Sequence, residues 1–277
     1  MTDFTHIVPD DPPTERIDRY SAGVFEAIVS RQQARKLIKA GHLTLDGQLC
    51  STARFVRPGH VLQLTMPKAD NEPVLELELS VLHLDPWLAI IDKPPGLHVR
   101  GNHVRTVRRA LRHNLSNATC PDALPQPEPV HRLDFRTSGL LLIARTARSR
   151  MELSRAFEQR RIHKRYRALL HGRLEGAGTV ATPIDERPAL TRWQAVSHTR
   201  SLHTDWLTTV DLFPVTGRTH QLRRHMCMQG HPVLGDDLYR RGKHLRGGGL
   251  FLTAMELRFE HPITQEDPTH ACCPQWR

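Results

Sequence analysis

The chain has little with which to cross-link, anchor or ligate. Its five cysteines, Cys50, Cys120, Cys227, Cys272 and Cys273, are odd in number and scattered, with no C-x-x-C pair. That excludes a disulfide framework or a zinc knuckle and points to a reducing compartment. No apolar stretch approaches the roughly 18–20 residues a membrane span needs. Residues 1–11 lack the basic-then-apolar order of a secretion signal. A cytoplasmic protein with no membrane association is expected. Motifs for several large enzyme classes are also missing. The 18 histidines include no H-E-x-x-H, and there is no G-x-S-x-G, G-x-G-x-x-G or G-x-x-x-x-G-K. An H-R-L-D sequence invites comparison with a protein-kinase catalytic loop, but there the Asp directly follows the Arg, and D-F-G is absent. Aromatic residues are few, at 5%, and acidic residues are outnumbered by basic ones, 29 to 39.

That imbalance is the first positive signal. The formal charge is +10, and the basic residues cluster at 31–39, 105–112, 159–167 and 240–246. Clustered positive charge on a globular chain matches a polyanion, most often a nucleic acid. The length, 277 residues, accommodates one large domain or two unequal ones.

Residues 1–13 are polar and expected to be loosely ordered. A helical pattern over 16–29 is followed by Ser30, a good N-cap, and by a second helix closed by Gly41. Ala34, Leu37 and Ile38 face inward, which leaves Arg31, Arg35 and Lys39 on one outer stripe. Leu43-Thr44-Leu45, an Asp46-Gly47 turn and residues 61–64 complete a small hairpin sheet. Residues 66–73 read as a linker, 74–84 as a half-buried strand and 87–91 as a second strand ending in Lys93-Pro94-Pro95-Gly96. A helix is predicted over 106–115, with Val107, Ala110 and Leu111 inward, and a Pro-rich mobile loop over 117–129. Thr146 caps a helix over 147–161, with Met151, Phe157 and Leu153 or Ala156 inward. Strands are predicted at 164–170, 207–213 and 251–259, a helix after Thr219, and a flexible basic loop at 240–249.

The candidate chemistry lies in His131-Arg132-Leu133-Asp134-Phe135-Arg136-Thr137-Ser138-Gly139, followed by the apolar run 140–144. The run reads as a strand buried on both faces, so Asp134 sits in the loop that enters it. A rigid scaffold there can aim the carboxylate into a cleft, or Asp134 merely caps its own turn. By elimination, a loop Asp, several arginines and a strand tyrosine suit cofactor-free work on an anionic polymer.

Two resemblances sharpen this. The pattern S-R-x-x-A-x-x-L-I-x-x-G at 30–41, with V-x-P-G-x-x-L at 56–62, resembles the alpha-L RNA-binding domain. H-R-L-D-x-x-T-S-G-L-L-L-x-A at 131–144, K-x-Y-x-A-L at 164–169 and G-R-T-H-Q-L-R at 217–223 resemble the RluA-type pseudouridine synthases in that family's order. D-K-P-P-G at 92–96, G-D-x-x-Y at 235–239 and F-x-H-P at 259–262 add to the likeness.

The resemblance implies an α+β chain of two domains. An RNA-binding domain spans 14–66, and a mixed, mostly antiparallel catalytic domain with a central cleft spans 74–277. It implies isomerisation of uridine in RNA, with large-subunit ribosomal RNA the expected substrate and transfer RNA the competitor. No cofactor or metal is implied, and a monomer suffices. A non-catalytic RNA-binding or ribosome-assembly factor on the same fold is the alternative from another class. Asp134 matches the catalytic aspartate, Arg223 the arginine that pairs with it, and Tyr166 the tyrosine that lies against the base. Leu222 would pack on that base, and Arg132 would help displace or replace it when the nucleotide is everted. Arg31, Arg35 and Lys39 would contact the RNA. Taken singly, Arg223 reads as a surface arginine and Tyr166 as a core residue. Lys93, His131, Thr137, His220 and Gln221 also match family positions, with structural roles expected. Arg224 departs from the family pattern, which commonly has a small or apolar residue there.

Overall fold

In the N-terminal part, helix formation follows from local signals. Ser30 Oγ accepts from the Gln33 N–H at 3.2 Å and starts α2 (Arg31–Lys39), after α1 (Ile17–Val24). Gly41, at φ +74°, ends it in a conformation costly for other residues. Ala34, Leu37 and Ile38 are buried, as the i, i+3, i+4 spacing predicts. The computed structural model describes residues 2–11, 14–25, 27–28, 30–66, 73–202, 205–239, 249–266 and 269–271. The chain divides into two compact units, Met1–Glu72 and Pro73–Arg277.

The first unit packs its helices on a three-stranded sheet, ordered β1 (Thr2–Ile7), β3 (Val61–Met66), β2 (Leu43–Leu45). Asp46 and Gly47 both have positive φ, +52° and +75°, the geometry of a tight hairpin turn. β1 corrects the expected loose N-terminus. Its composition is polar, but it pairs antiparallel with β3, and His6 Nε2 lies 3.0 Å from the Tyr20 hydroxyl. Val8, just beyond it, is buried.

Among the described residues, the second unit forms one ten-stranded sheet with helices against it. Its elements in chain order are β4 (Ser80–Leu84), β5 (Leu88–Lys93), α3 (Val107–Asn114), β6 (Ala123–Pro129), β7 (Ser138–Thr146), α4 (Ala147–Glu158) and β8 (His163–His171). Then follow β9 (Ala177–Val180), β10 (Thr191–Ser201), β11 (Asp205–Pro214), α5 (Gln221–Met228), β12 (Leu252–Arg258) and β13 (Thr269–Ala271). The sheet order is β4-β5-β7-β12-β8-β11-β10-β9, with β6 on β7 and β13 on β12. The β7–β12 pair is parallel and the others are antiparallel, so the architecture is mixed, mostly antiparallel α+β.

All of β7 is buried. Leu140 and Leu142 pack with Leu88, Ile90 and Leu153, while Leu141 and Ile143 pack with Ile91, Val107 and Leu111. Alternating side chains thus enter two cores, which is why the run shows no polar alternation. At its start, Gly139 has φ +107°, and a Cβ there would lie 2.2 Å from the Ala254 carbonyl oxygen. Only glycine lets β7 and β12 meet so closely. The Ser138 and Thr253 hydroxyls bond across the junction at 2.8 Å.

Three further expectations are corrected. Of residues 74–84, only Ser80–Leu84 is strand. Leu75 and Leu77 pack inward, but their stretch bonds to α3: the Leu75 N–H donates to Arg109 O at 3.3 Å, and Asn114 bridges Leu77 O and the Leu79 N–H, each at 2.7 Å. The Pro-rich 117–129 stretch contains β6. It tolerates Pro125, Pro127 and Pro129 because it pairs with β7 alone among the described strands. Met151 is 53% exposed, and Leu153 and Ala156 hold the inner face of α4. The basic loop at 240–248, most of the linker, Cys272 and Cys273 lie outside the described residues.

Candidate active site

Asp134 lies in the turn between β6 and β7, where its carbonyl accepts from the Thr137 N–H at 3.1 Å. The next carbonyl, of Phe135, accepts from the Gly96 N–H at 2.8 Å and from Lys93 Nζ at 3.3 Å. Lys93 is fully buried and also donates to Pro94 O and Leu97 O, each at 2.9 Å. Burial pulls its pKa down to about 8, against the opposing pull of Asp134 and Asp92. Upstream, His131 Nε2 accepts from the Leu142 N–H at 3.0 Å. Burial, with Lys164 adding to it, pushes the His131 pKa down to about 3. The loop is therefore held on both sides of Asp134.

The Asp134 carboxylate, 18% exposed, opens into a cleft of about 940 Å³ whose walls include Arg132, Tyr166, His220, Leu222 and Arg223. That volume falls in the range of ordinary small-ligand sites. Tyr166 comes from β8, and its phenol pKa is raised, by burial first and then by the Asp134 charge. Leu222 and Arg223 come from the first turn of α5 and are 7% and 4% exposed. Arg132 is exposed at the cleft.

The expected direct pair between Arg223 and Asp134 is not formed. Arg223 instead makes a bidentate pair with Asp236, Nε to Oδ2 at 2.7 Å and an Nη to Oδ1 at 2.8 Å. The reason is tertiary: the turn after Gly235 puts a fully buried carboxylate directly against the guanidinium. Asp236 also accepts from the Leu238 and Tyr239 N–H groups at 3.0 and 3.1 Å. Burial alone would raise its pKa, and the hydrogen bonds from Arg223 reverse that and hold it low. Arg223 in turn lies 5.2 Å over the Tyr239 ring.

His220 is closer to Asp134 than its expected structural role implied. It caps α5 with φ +51°, in the left-handed region. Its Nδ1 lies 2.9 Å from the Tyr239 hydroxyl, and its Nε2 lies 3.9 Å from Asp134 Oδ1. Burial lowers its pKa, opposed first by Asp134. Asp236, Arg223, Tyr239 and His220 thus form a continuous set of contacts ending at Asp134. Gln221 is buried and bonds Thr216, Leu190 and Thr191. Arg224 pairs with Asp185 at 2.8 Å.

In the first unit, the basic stripe has an anchor that sequence reading missed. Arg31 and Arg35 donate through Nε to Asp18 Oδ2 at 3.0 and 2.6 Å. Asp18 is fully buried, while the two arginines are 46% and 47% exposed. Burial alone would raise the Asp18 pKa, but Arg35 and then Arg31 hold it low. Lys39 is exposed on the same helix.

Comparison with known proteins agrees with this layout. Residues 88–227 match the family model for RNA pseudouridylate synthase, and residues 27–62 match the S4 domain. The ribosomal large subunit pseudouridine synthase D of Xanthomonas campestris is 31% identical over 300 residues, spanning 97% of this chain and 88% of that protein. The dual-specificity RNA pseudouridine synthase RluA of Pasteurella multocida is 37% identical over 214 residues, 70% of this chain and 92% of the relative. Among solved structures, human RNA pseudouridylate synthase domain containing 1 superposes with a TM-score of 0.60 at 28% identity, over 73% of this chain and 86% of that one. The chain belongs to the RluA-type RNA pseudouridine synthases, isomerases that act on RNA, and carries the S4 RNA-binding domain at its N-terminus.

Proposed function

We propose that this synthase isomerises specific uridines of large-subunit ribosomal RNA in the cytoplasm, as a monomer, with Asp134 as the reacting carboxylate. The observation that carries the reading is that Asp134, Tyr166 and Leu222 line one cleft with a guanidinium wall. In the reaction the glycosidic bond to nitrogen breaks, the uracil turns, and carbon 5 joins the sugar. No leaving group departs and no electron is transferred, so the chemistry calls for no cofactor. Asp134 acts at the sugar, by attack or by removing the 2′ proton. Tyr166 lies against the base, where a neutral phenol offers a stacking face and a hydroxyl near carbon 5. Leu222 packs on the base. Arg223, locked to Asp236, supplies positive potential without neutralising the carboxylate. Arg132 fills the gap the everted base leaves in the stack. Arg31, Arg35 and Lys39 contact RNA phosphates from a domain spanning 14–66, and 74–277 forms the catalytic domain.

The Xanthomonas relative, a ribosomal large subunit synthase, supports the ribosomal assignment, and the dual-specificity Pasteurella relative makes transfer RNA the second substrate to assay. Pseudouridine mapping of total RNA, with and without the gene for this chain, tests both. Loss of one or more sites in large-subunit ribosomal RNA is expected. Loss confined to transfer RNA would overturn the substrate assignment.

A further inference from the structure

Beside Asp134 stands a group of rings that the reaction does not use. Phe135 follows Asp134 directly, its Cα about 3.8 Å away across a trans peptide, and it is 45% exposed. An exposed apolar ring is ordinary on a mobile loop. Here the backbone that carries it is pinned by Gly96 and Lys93 at the Phe135 carbonyl. The ring packs on His98 with centroids 4.5 Å apart, and His98 stacks on His103 at 4.2 Å with planes 7° apart. His98 is itself fixed, since its carbonyl accepts the Val107 N–H at 2.7 Å where α3 begins. Burial, His103 and Lys93 lower the His98 pKa from its ordinary value. The result is a contiguous set of rings, with the backbone pinned at Phe135 and His98, one residue along the chain from the candidate catalytic carboxylate.

We propose that Phe135, backed by His98 and His103, is a stacking platform for an unpaired base flanking the target uridine in the substrate RNA. This rests on the reading of Asp134 as the reacting group. Everting a uridine into the Asp134 cleft unstacks its neighbours, and an adjacent ring offers one of them a replacement for the lost stack. A single phenyl is far too small an apolar patch to seat a protein partner.

The test uses the full-length protein and a nine-nucleotide oligouridylate carrying 2-aminopurine next to the central uridine. Wild type and Phe135→Tyr should quench the 2-aminopurine. Phe135→Leu, which keeps apolar bulk but loses the ring, should bind about 5- to 100-fold more weakly and abolish the quench. Equal affinity and quench in wild type and Phe135→Leu would overturn the platform, as would Phe135→Tyr failing alongside Phe135→Leu. Uridine conversion on in vitro transcribed large-subunit ribosomal RNA is measured in parallel with Asp134→Asn. Conversion persisting in that variant overturns the Asp134 reading, and with it the basis of the platform. An Asp134→Asn protein that is inactive, beside a Phe135→Leu protein that binds and quenches like wild type, overturns the platform alone.

Discussion

Asp236→Asn probes the electrostatic support of the cleft. The side chains of Asp236 and Arg223 are 0% and 5% exposed, and their pair is bidentate. Removing one partner of such a buried pair costs about 3–5 kcal/mol, because the remaining charge is left uncompensated away from water. Asparagine keeps the shape and one carbonyl oxygen for the Leu238 and Tyr239 amides, so the lower end, about 3 kcal/mol, is expected. In a unit of about 200 residues each kcal/mol lowers Tm by about 2–4 °C, which gives a fall of roughly 6–12 °C. The pH dependence follows from the same pair. The folded Asp236 pKa lies below its ordinary 3.8, so the stabilisation is fully present above that value and is lost as pH falls through the folded one. The gap between wild type and variant should be flat from about pH 8 to 5 and close below about 4. Differential scanning calorimetry across pH reads this directly. A variant melting within about 2 °C of wild type at pH 7, or a gap that widens on acidification, would refute the reasoning.

Gly139→Ala should destabilise by about 3 kcal/mol, combining left-handed backbone cost with a clash against Ala254. Gly176→Ala, where φ is +78° but space is open, should lose only about 1 kcal/mol, and urea midpoints distinguish the two. Arg35→Ala should lower the slope of log affinity against log salt by about 1 in RNA titrations. An unchanged slope would remove Arg35 from the RNA surface. Asp18→Asn should weaken RNA binding as well, because Arg31 and Arg35 lose the acceptor that orients them. His131 is held neutral to about pH 3, whereas the unfolded chain protonates near 6.5. Stability should therefore drop by up to about 1.4 kcal/mol per pH unit below about 6.5, a slope missing in His131→Gln when urea midpoints are followed from pH 7 to 4.

Elements defined by neighbouring residues were legible in the sequence. α2, α3 and α4 each begin at a Ser or Thr whose side chain accepts the expected backbone N–H, and β7 announces itself as a run buried on both faces. Elements defined by distant partners were not. β1 looks polar because its stability lies in a ladder with β3 nearly 60 residues away, and β6 is disguised by three prolines that an edge position tolerates. Residues 171–206 show no strong signal, yet β9 and β10 extend the sheet there. The cleft follows the same division. The motif order singled out Asp134, Tyr166, Leu222 and Arg223, which do line one cavity. The resemblance implies Asp134 as the partner of Arg223, whereas tertiary packing brings Asp236 against the guanidinium. Asp18 carries no signal in the sequence for the same reason, and the contact of His220 with Tyr239 likewise depends on residues brought together across the fold.

The most direct measurement is the single-turnover rate of uridine conversion by Asp134→Asn on in vitro transcribed large-subunit ribosomal RNA, with RNA affinity measured alongside. The account predicts a rate lower by on the order of 10³-fold or more, with binding retained and still weakening as salt rises. Conversion at a rate near that of wild type would contradict it.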